Sequence, residues 1–194
     1  ERVLAWARGV RVELGERSYQ IWIDTALLPR AGELLAGLGT PSRVVLITNP
    51  RVGRLYAGEL TPALADLSPH VLEVPAGERR KSLYWAQRLY SELLRMGADR
   101  RSLIIALGGG VVGDLAGFVA GTYMRGVRLV QLPTTLMAQI DSSIGGKTAV
   151  NHPRAKNLIG VFHQPALVVA DVDVLRWLPP RERRAGLAEA IKYG

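Results

Sequence analysis

The chain has 194 residues, 48% of them hydrophobic, enough to bury a sizeable core in one domain with the start of a second. No apolar stretch is long enough to span a membrane, and the first residues (ERVLAWARG) lack the apolar core and cleavage site of a secretory signal. The absence of cysteine excludes disulfides and thiolate metal sites and is expected of a cytoplasmic protein. The formal net charge of +8 comes from 25 basic residues, of which only Lys81, Lys147, Lys156 and Lys192 are lysines. The arginines are spread in small clusters, such as Arg79-Arg80 and Arg100-Arg101, without a long basic run interleaved with aromatics. Neither nucleic acid nor a membrane is therefore expected as a partner, whereas an anionic small molecule is. The scarcity of lysine has two readings, four lysines kept for chemistry or a general bias toward arginine.

In chain order, residues 10–14 and 19–24 read as two strands joined by a tight turn at 15–18. Residues 43–48 (RVVLIT), 103–107 (LIIAL) and 167–170 (LVVA) are continuous apolar runs of strand length, and 128–132 is a weaker one closed by Pro133. Between them, Leu83, Ala86, Leu89, Tyr90, Leu93 and Leu94 share one helical face, with Ser82 as N-cap and Gly97 as the stop. Apolar strands alternating with amphipathic helices predict an α/β fold, a mostly parallel open sheet covered on both faces and Rossmann-like. In such sheets ligands sit beyond the carboxyl ends of the strands. After Trp177 the composition shifts. Leu178-Pro179-Pro180 precedes the charged segment RERRAGLAEAIKYG, which reads as a new helix opening a second, helical domain. The expected division is 1–177, an α/β domain, and 178–194, the first helix of a C-terminal domain that is cut short.

Strand 103–107 runs directly into Gly108-Gly109-Gly110-Val111-Val112-Gly113-Asp114. Gly108, Gly110 and Gly113 satisfy G-x-G-x-x-G in the strand-to-helix context where the glycines allow a tight turn and close approach of a pyrophosphate to a helix N-terminus. Two features depart from the usual dinucleotide fingerprint: the region around Arg128 and Gln131 has no acidic residue for a ribose, and the turn follows a late strand. Asp114 is expected in the first helical turn, either favouring the helix dipole or gripping a ribose. The three histidines, His70, His152 and His163, lie in segments that read as loops, without metal-binding spacing.

The turn GGGVVGDLAGF, the segments Thr134-Thr135, YMRG (123–126), DSSIGGKTAVN (141–151), Lys156-Asn157 and AEAIKYG (188–194) occur together and in order. On these motifs the chain resembles the 3-dehydroquinate synthase family of sugar-phosphate cyclases, most densely from 107 to its end. The resemblance implies an NAD-binding half of a phosphate-eliminating lyase of the shikimate pathway of aromatic amino acid biosynthesis. In that family 3-deoxy-D-arabino-heptulosonate 7-phosphate becomes 3-dehydroquinate and phosphate. A ring hydroxyl is transiently oxidised, which acidifies the neighbouring proton and lets phosphate leave; the hydride is returned and the ring opens and recloses as a carbocycle.

The resemblance also implies roles. NAD is expected at Gly110, Val111, Val112, Gly113 and Asp114, and at Thr134 and Thr135. The loop Gly77, Glu78, Arg79, Arg80 and Lys81 is expected to contact it too, with Lys147 and Lys156 and, mainly through backbone, Val174, Leu175, Arg176 and Trp177. Where family members commonly carry Asp, this chain has Ala76. Asp141, Lys147, Asn157, Lys192 and Arg125 match substrate-site positions, types suited to a carboxylate and a phosphate. Glu189 matches the carboxylate ligand of a zinc (or cobalt) ion, the family's other two ligands being histidines beyond Gly194. Arg125 matches an arginine that reaches the partner's site, so a homodimer is expected. The competing readings are a sibling sugar-phosphate cyclase, a glycerol-dehydrogenase-like enzyme and a non-catalytic nucleotide-binding module. The block 141–157 weighs against the dehydrogenase, and Glu189 with Lys192 weighs against the mere binding module.

Overall fold

The computed structural model describes residues 7–193. Residues 1–6, on which most of the reading of the chain's start rests, and residue 194, the last of the 188–194 motif, lie outside the described residues. The strands are β1 (Arg8–Val12), β2 (Tyr19–Asp24), β3 (Val44–Thr48), β4 (His70–Glu73), β5 (Leu103–Gly108), β6 (Arg128–Pro133), β7 (Lys147–His152), β8 (Ala155–Phe162) and β9 (Leu167–Asp171). The α-helices are α1 (Ala31–Leu35), α2 (Pro50–Ala63), α3 (Leu83–Arg95), α4 (Gly110–Thr122) and α5 (Pro180–Tyr193). Seven strands form one open sheet in the order β1-β2-β9-β6-β5-β3-β4, parallel except for the β1–β2 pair. This is the mostly parallel α/β architecture the apolar runs predict.

Period two explains why the central strands are apolar throughout. Leu103, Ile105 and Leu107 of β5 enter one core with Val44 and Leu46 of β3, Val130 and Leu132 of β6, and Tyr56 and Leu60 of α2. Ile104 and Ala106 point the other way, into a second core with Val45, Ile47, Leu129, Leu89 and Leu93 of α3 and Leu115 and Val119 of α4. Helix α3 begins and ends where its caps predict: the Ser82 side chain accepts from the Trp85 N–H, and Gly97 turns the chain with φ +69°.

Three local readings are corrected. Strand β1 occupies 8–12 rather than 10–14, because the Ser18 hydroxyl accepts from the Leu14 N–H at 2.8 Å and donates to the Gly15 carbonyl at 2.7 Å. That closure pulls Glu13 and Leu14 out of the ladder and into the turn. Asp114 is the fifth residue of α4, not a member of its first turn, so a helix-dipole role does not apply to it. Of the histidines, His70 opens β4 and His152 closes β7; only His163 lies outside a strand, its Nε2 2.8 Å from the Val127 carbonyl oxygen.

Residues 147–162, read from sequence only as a motif, form an antiparallel β7–β8 ribbon separate from the main sheet. The ribbon lies against α4 at Gly117, where a Cβ would come within 2.4 Å of Thr148 Cγ2. Its entry needs two glycines, Gly145 (φ +81°) and Gly146 (φ +67°), a conformation that other residues rarely adopt. Helix α5 opens at Pro180, as expected, and packs on the segment after β6: a Cβ on Gly186 would stand 2.6 Å from Leu136 Cβ. No helix among the described residues is long and apolar enough to cross a membrane.

Ile105 is fully buried between β3 and β6. Ile105→Ala is expected to lower the free energy of unfolding by about 2–5 kcal/mol through lost burial and the cavity left behind, as read from urea denaturation midpoints at unchanged slope.

Candidate functional site

The chain passes from β3 outward to β4 at the sheet edge, then returns to β5 on the other side of β3. This reversal is a topological switch point, and it leaves a crevice beyond the carboxyl ends of β3 and β5. A cleft of about 530 Å³ lies there, walled by Asn49, Gly77, Glu78, Lys81, residues 109–112, Asp114, Thr134, Thr135 and Ser142. Its floor is backbone. A Cβ on Gly109 would sit 2.8 Å from Thr135 Cγ2, and one on Gly110 would sit 3.1 Å from Ser142 Oγ. The first N–H groups of α4, at Gly110 and Val111, have no intrahelical carbonyl to bond, and the helix dipole adds to their positive field. Such a cradle suits a pyrophosphate, and the residues present fit a dinucleotide.

A second hollow of about 390 Å³ lies beyond Asp114, lined by Asp114, Asp141, Ser142, Lys147, Asn157 and the apolar Ile144 and Phe162. Asp114 and Ser142 thus border both spaces. Asp141 and Ser142 come from a short π-helical segment, Ala138–Ser142, of a kind that often marks functional sites. The segment is pinned by buried Gln139, whose Nε2 donates to the carbonyls of Pro133 (3.2 Å) and Asp171 (2.7 Å) at the ends of β6 and β9. The Tyr19 hydroxyl accepts from the Gly145 N–H at 3.1 Å and steadies the turn that leads to Lys147.

Between the two spaces Lys81 is almost entirely buried. Its Nζ donates to Asp114 Oδ2 at 2.8 Å and to Asn157 Oδ1 at 2.6 Å, and lies 3.5 Å from Glu78 Oε1. Burial pushes the Asp114 carboxyl above the usual aspartate range. The Lys81 hydrogen bond and charge pull it back, and the Glu78 and Asp141 charges add to the upward push. For Glu78 burial also raises the carboxyl, but the Asn151 hydrogen bond and the Lys81 charge outweigh it, leaving the group below its ordinary value.

The structure therefore brings Gly77, Glu78, Lys81, Gly110, Val111, Val112, Asp114, Thr134 and Thr135 to the crevice, and Asp141, Lys147 and Asn157 to the second hollow. Gly113 acts from behind: a Cβ there would meet Gln131 Oε1 at 3.0 Å. The remaining expected positions line neither space. Arg80 stands over the Trp85 ring, 5.9 Å from its centroid, and Arg79 and Lys156 are exposed. Val174, Leu175, Arg176 and Trp177 belong to a 3-10 segment (Val172–Trp177) that packs back on α2, the Val174 carbonyl accepting from the Tyr56 hydroxyl at 2.9 Å. Arg125 is exposed after α4, on a turn where Met124 (φ 50°) and Arg125 (φ 66°) are both left-handed. On α5, Lys192 Nζ donates to Glu189 Oε1 at 2.8 Å. Among the described residues no group of three or more His, Cys, Asp or Glu could hold a metal ion, and Glu189 alone does not make a site.

Asn49 and Glu182 are among the crevice residues that escaped the sequence reading. Asn49 caps α2, its side chain accepting from the N–H groups of Arg51 and Val52, and Glu182 reaches the crevice from α5. Asn49-Pro50 directly after an apolar strand is a legible N-cap signal; Glu182 had none, since only packing of α5 brings it near.

An open parallel sheet with a phosphate-accepting crevice at its switch point defines a Rossmann-like α/β protein. More narrowly, residues 71–185 match the family profile described as 3-dehydroquinate synthase N-terminal, and the chain belongs to that family. It is 57% identical over 187 residues to a 3-dehydroquinate synthase of Pelotomaculum thermopropionicum, covering 95% of this chain and 50% of the relative. It is 52% identical over 187 residues to that of Thermodesulfovibrio yellowstonii, covering 95% and 52%. The chain spans about half the length of the curated relatives it matches. Among solved structures, it is similar to a 2-deoxy-scyllo-inosose synthase complexed with carbaglucose-6-phosphate, NAD+ and Co2+ (TM-score 0.87, 30% identity, covering 95% of this chain and 51% of that one). It is also similar to a 2-epi-5-epi-valiolone synthase from Streptomyces hygroscopicus subsp. jinggangensis 5008 with NAD+ and Zn2+ bound (TM-score 0.80, 32% identity, 92% and 49%). A probable glycerol dehydrogenase from Sinorhizobium meliloti 1021, 19% identical with TM-score 0.70 over 88% of this chain and 44% of that one, shares the fold.

Lys81→Met removes the hydrogen bond and the charge that hold Asp114 down, so its titration should move further up, as followed by the 13C shift of the carboxyl carbon. A carboxyl whose folded-state pKa is raised binds its proton more tightly folded than unfolded. Stability then falls as pH rises from the ordinary aspartate value, about 3.9, through the folded one. The variant should show a wider window of such loss and unfold more readily at neutral pH by about 3 kcal/mol, the scale for leaving a buried charge unpaired.

Proposed function

We propose that this chain is the nucleotide-binding half of a 3-dehydroquinate synthase. That enzyme would convert 3-deoxy-D-arabino-heptulosonate 7-phosphate into 3-dehydroquinate and phosphate, as a lyase of the cytoplasm. The observation that carries the reading is the adjacency of two spaces of different character. A backbone-lined crevice suited to a dinucleotide is separated only by Asp114 and Ser142 from a hollow that presents Lys147, Asn157 and Asp141. Identity of 52–57% to 3-dehydroquinate synthases, against 30–32% to the two sibling cyclases, favours this member of the family.

In this reading the crevice would take NAD, with the Gly110 and Val111 N–H groups available to phosphate oxygens and Asp114, Glu78, Thr134 and Thr135 available to sugar hydroxyls. The bound cofactor supplies reversible hydride transfer. Lys147 and Asn157 hold the substrate's anionic and hydroxyl groups, with Lys192 and Asp141 completing the set, and Lys156 and the positive charges around it favour an anionic ligand. Asp114 and Lys81 hold charge in a water-poor wall between cofactor and substrate, where it acts strongly. Residues 178–194 begin the second domain, and Glu189 would be one ligand of a divalent metal, Zn2+ or Co2+, which would supply Lewis-acid polarisation of a hydroxyl. Arg125 reaches outward into the phosphate pocket of a second copy, making the working form a homodimer. Arg79 and Arg80 would meet NAD at the rim of the site, and Val174 to Trp177 would do so mainly through backbone.

On the full-length protein, heptulosonate phosphate with NAD and a divalent metal is expected to release phosphate; no release under saturating conditions would overturn the assignment. Gly110→Val should abolish NAD binding while leaving the fold, because its side chain would stand on the backbone floor of the crevice, where a Cβ would come 3.1 Å from Ser142 Oγ; calorimetric titration with NAD checks it. Glu189→Gln should lower the bound metal at least tenfold, the scale for losing a ligand or its close support, as measured by elemental analysis after dialysis.

A further inference from the structure

Asn151 sits where the β7–β8 ladder breaks: the register shifts between Val150 and His152, leaving Asn151 unpaired within the ribbon. The extra residues are on β8, where 156–158 stand opposite Asn151 alone, so it is β8 that bulges. Here the backbone of Asn151 turns to the nucleotide loop, its N–H donating to the Lys81 carbonyl at 2.8 Å, and it bridges to Ser82. The side chain then works in two directions. Nδ2 donates to Glu78 Oε1 at 2.7 Å, while Oδ1 accepts from the Asn157 N–H at 2.8 Å. That second bond secures Asn157 in the left-handed region, φ 53°, an uncommon conformation outside glycine. Asn157 Oδ1 is committed to Lys81, so its amide nitrogen remains for the hollow that it lines.

We propose that Asn151 is a positioning residue that couples the two halves of the site, holding Glu78 at the nucleotide crevice and Asn157 at the substrate hollow in one fixed relation around Lys81. The inference rests on the functional reading above. Only a short amide meets the demand: an aspartate lacks the donor for Glu78, and a serine is too short to span both partners.

The test uses the full-length enzyme, with NAD affinity from calorimetry and kcat and KM for the heptulosonate phosphate. In Asn151→Asp two carboxylates face each other, so the NAD Kd and the substrate KM should each rise about tenfold, matching the loss of one hydrogen bond to a charged group. The value of kcat should change less, by about threefold or under, because no reacting group has been removed. The double variant Asn151→Asp/Glu78→Gln puts the amide on the opposite partner and keeps the acceptor for Asn157. It should return both constants to those of Glu78→Gln alone. A merely structural asparagine would show no such exchange.

Wild-type constants in Asn151→Asp, or a double variant no better than Asn151→Asp or unable to fold where Glu78→Gln folds, overturn the inference. Failure of the wild-type enzyme to bind NAD overturns the functional reading beneath it instead.

Discussion

A buried ammonium group organises this site. Lys81 is withdrawn from water, and an ammonium in that position is tolerated only when its donors are satisfied by close acceptors. Asp114 and Asn157 provide them at 2.8 and 2.6 Å, with Glu78 beside them at 3.5 Å. The three acceptors belong to separate parts of the chain: the second turn of α4, the β8 strand and the loop before α3. Satisfying one cation therefore fixes the mutual placement of a helix, a ribbon and a loop that share little else. Asp114 bears the cost, since burial raises its carboxyl and only Lys81 offsets that. The pair gains little as a stabiliser.

Sheet topology decides what this knot sits between. The reversal from β4 back to β5 opens a crevice that no side chain fills, and α4 begins at its mouth with unpaired N–H groups. On the far side of the first turns of α4 the ribbon lies close, because Gly117 lets Thr148 approach. A dinucleotide-sized cleft and a charged hollow thus end up side by side, sharing the wall that Asp114 and Ser142 make.

Several backbone irregularities gather around these spaces. Asn157 is left-handed, Gly145 and Gly146 are consecutive positive-φ residues, Ala138–Ser142 is π-helical and β8 is bulged opposite Asn151. The sheet core has none of this; β3, β5 and β6 alternate regularly into two cores. Strain persists only where surrounding structure over-determines it, and here Gln139, Tyr19 and Asn151 each hold a deviant segment by hydrogen bonds to it.

By itself the sequence determined the strands β3, β5, β6 and β9, the helix α3 with both its caps, and the glycine turn before α4. Each is a local pattern whose period or turn chemistry is written in adjacent residues. The motif from 141 to 157 marked residues that come to line the second hollow, again from neighbours in the chain. What it left open depends on packing between distant segments. Asp114 looked like a first-turn acid, yet lies deeper in α4 and answers to Lys81, 33 residues away. Residues 147–162 became a ribbon because α4 offers a glycine surface to receive it, and Glu182 joined the crevice only through the docking of α5. Asn151 read as one letter of a motif, and the hydrogen bond that joins it to Glu78, 73 residues earlier, exists only once loop and ribbon meet. Hydrogen bonds between remote polar groups carry no periodicity, so the tertiary structure alone could decide them.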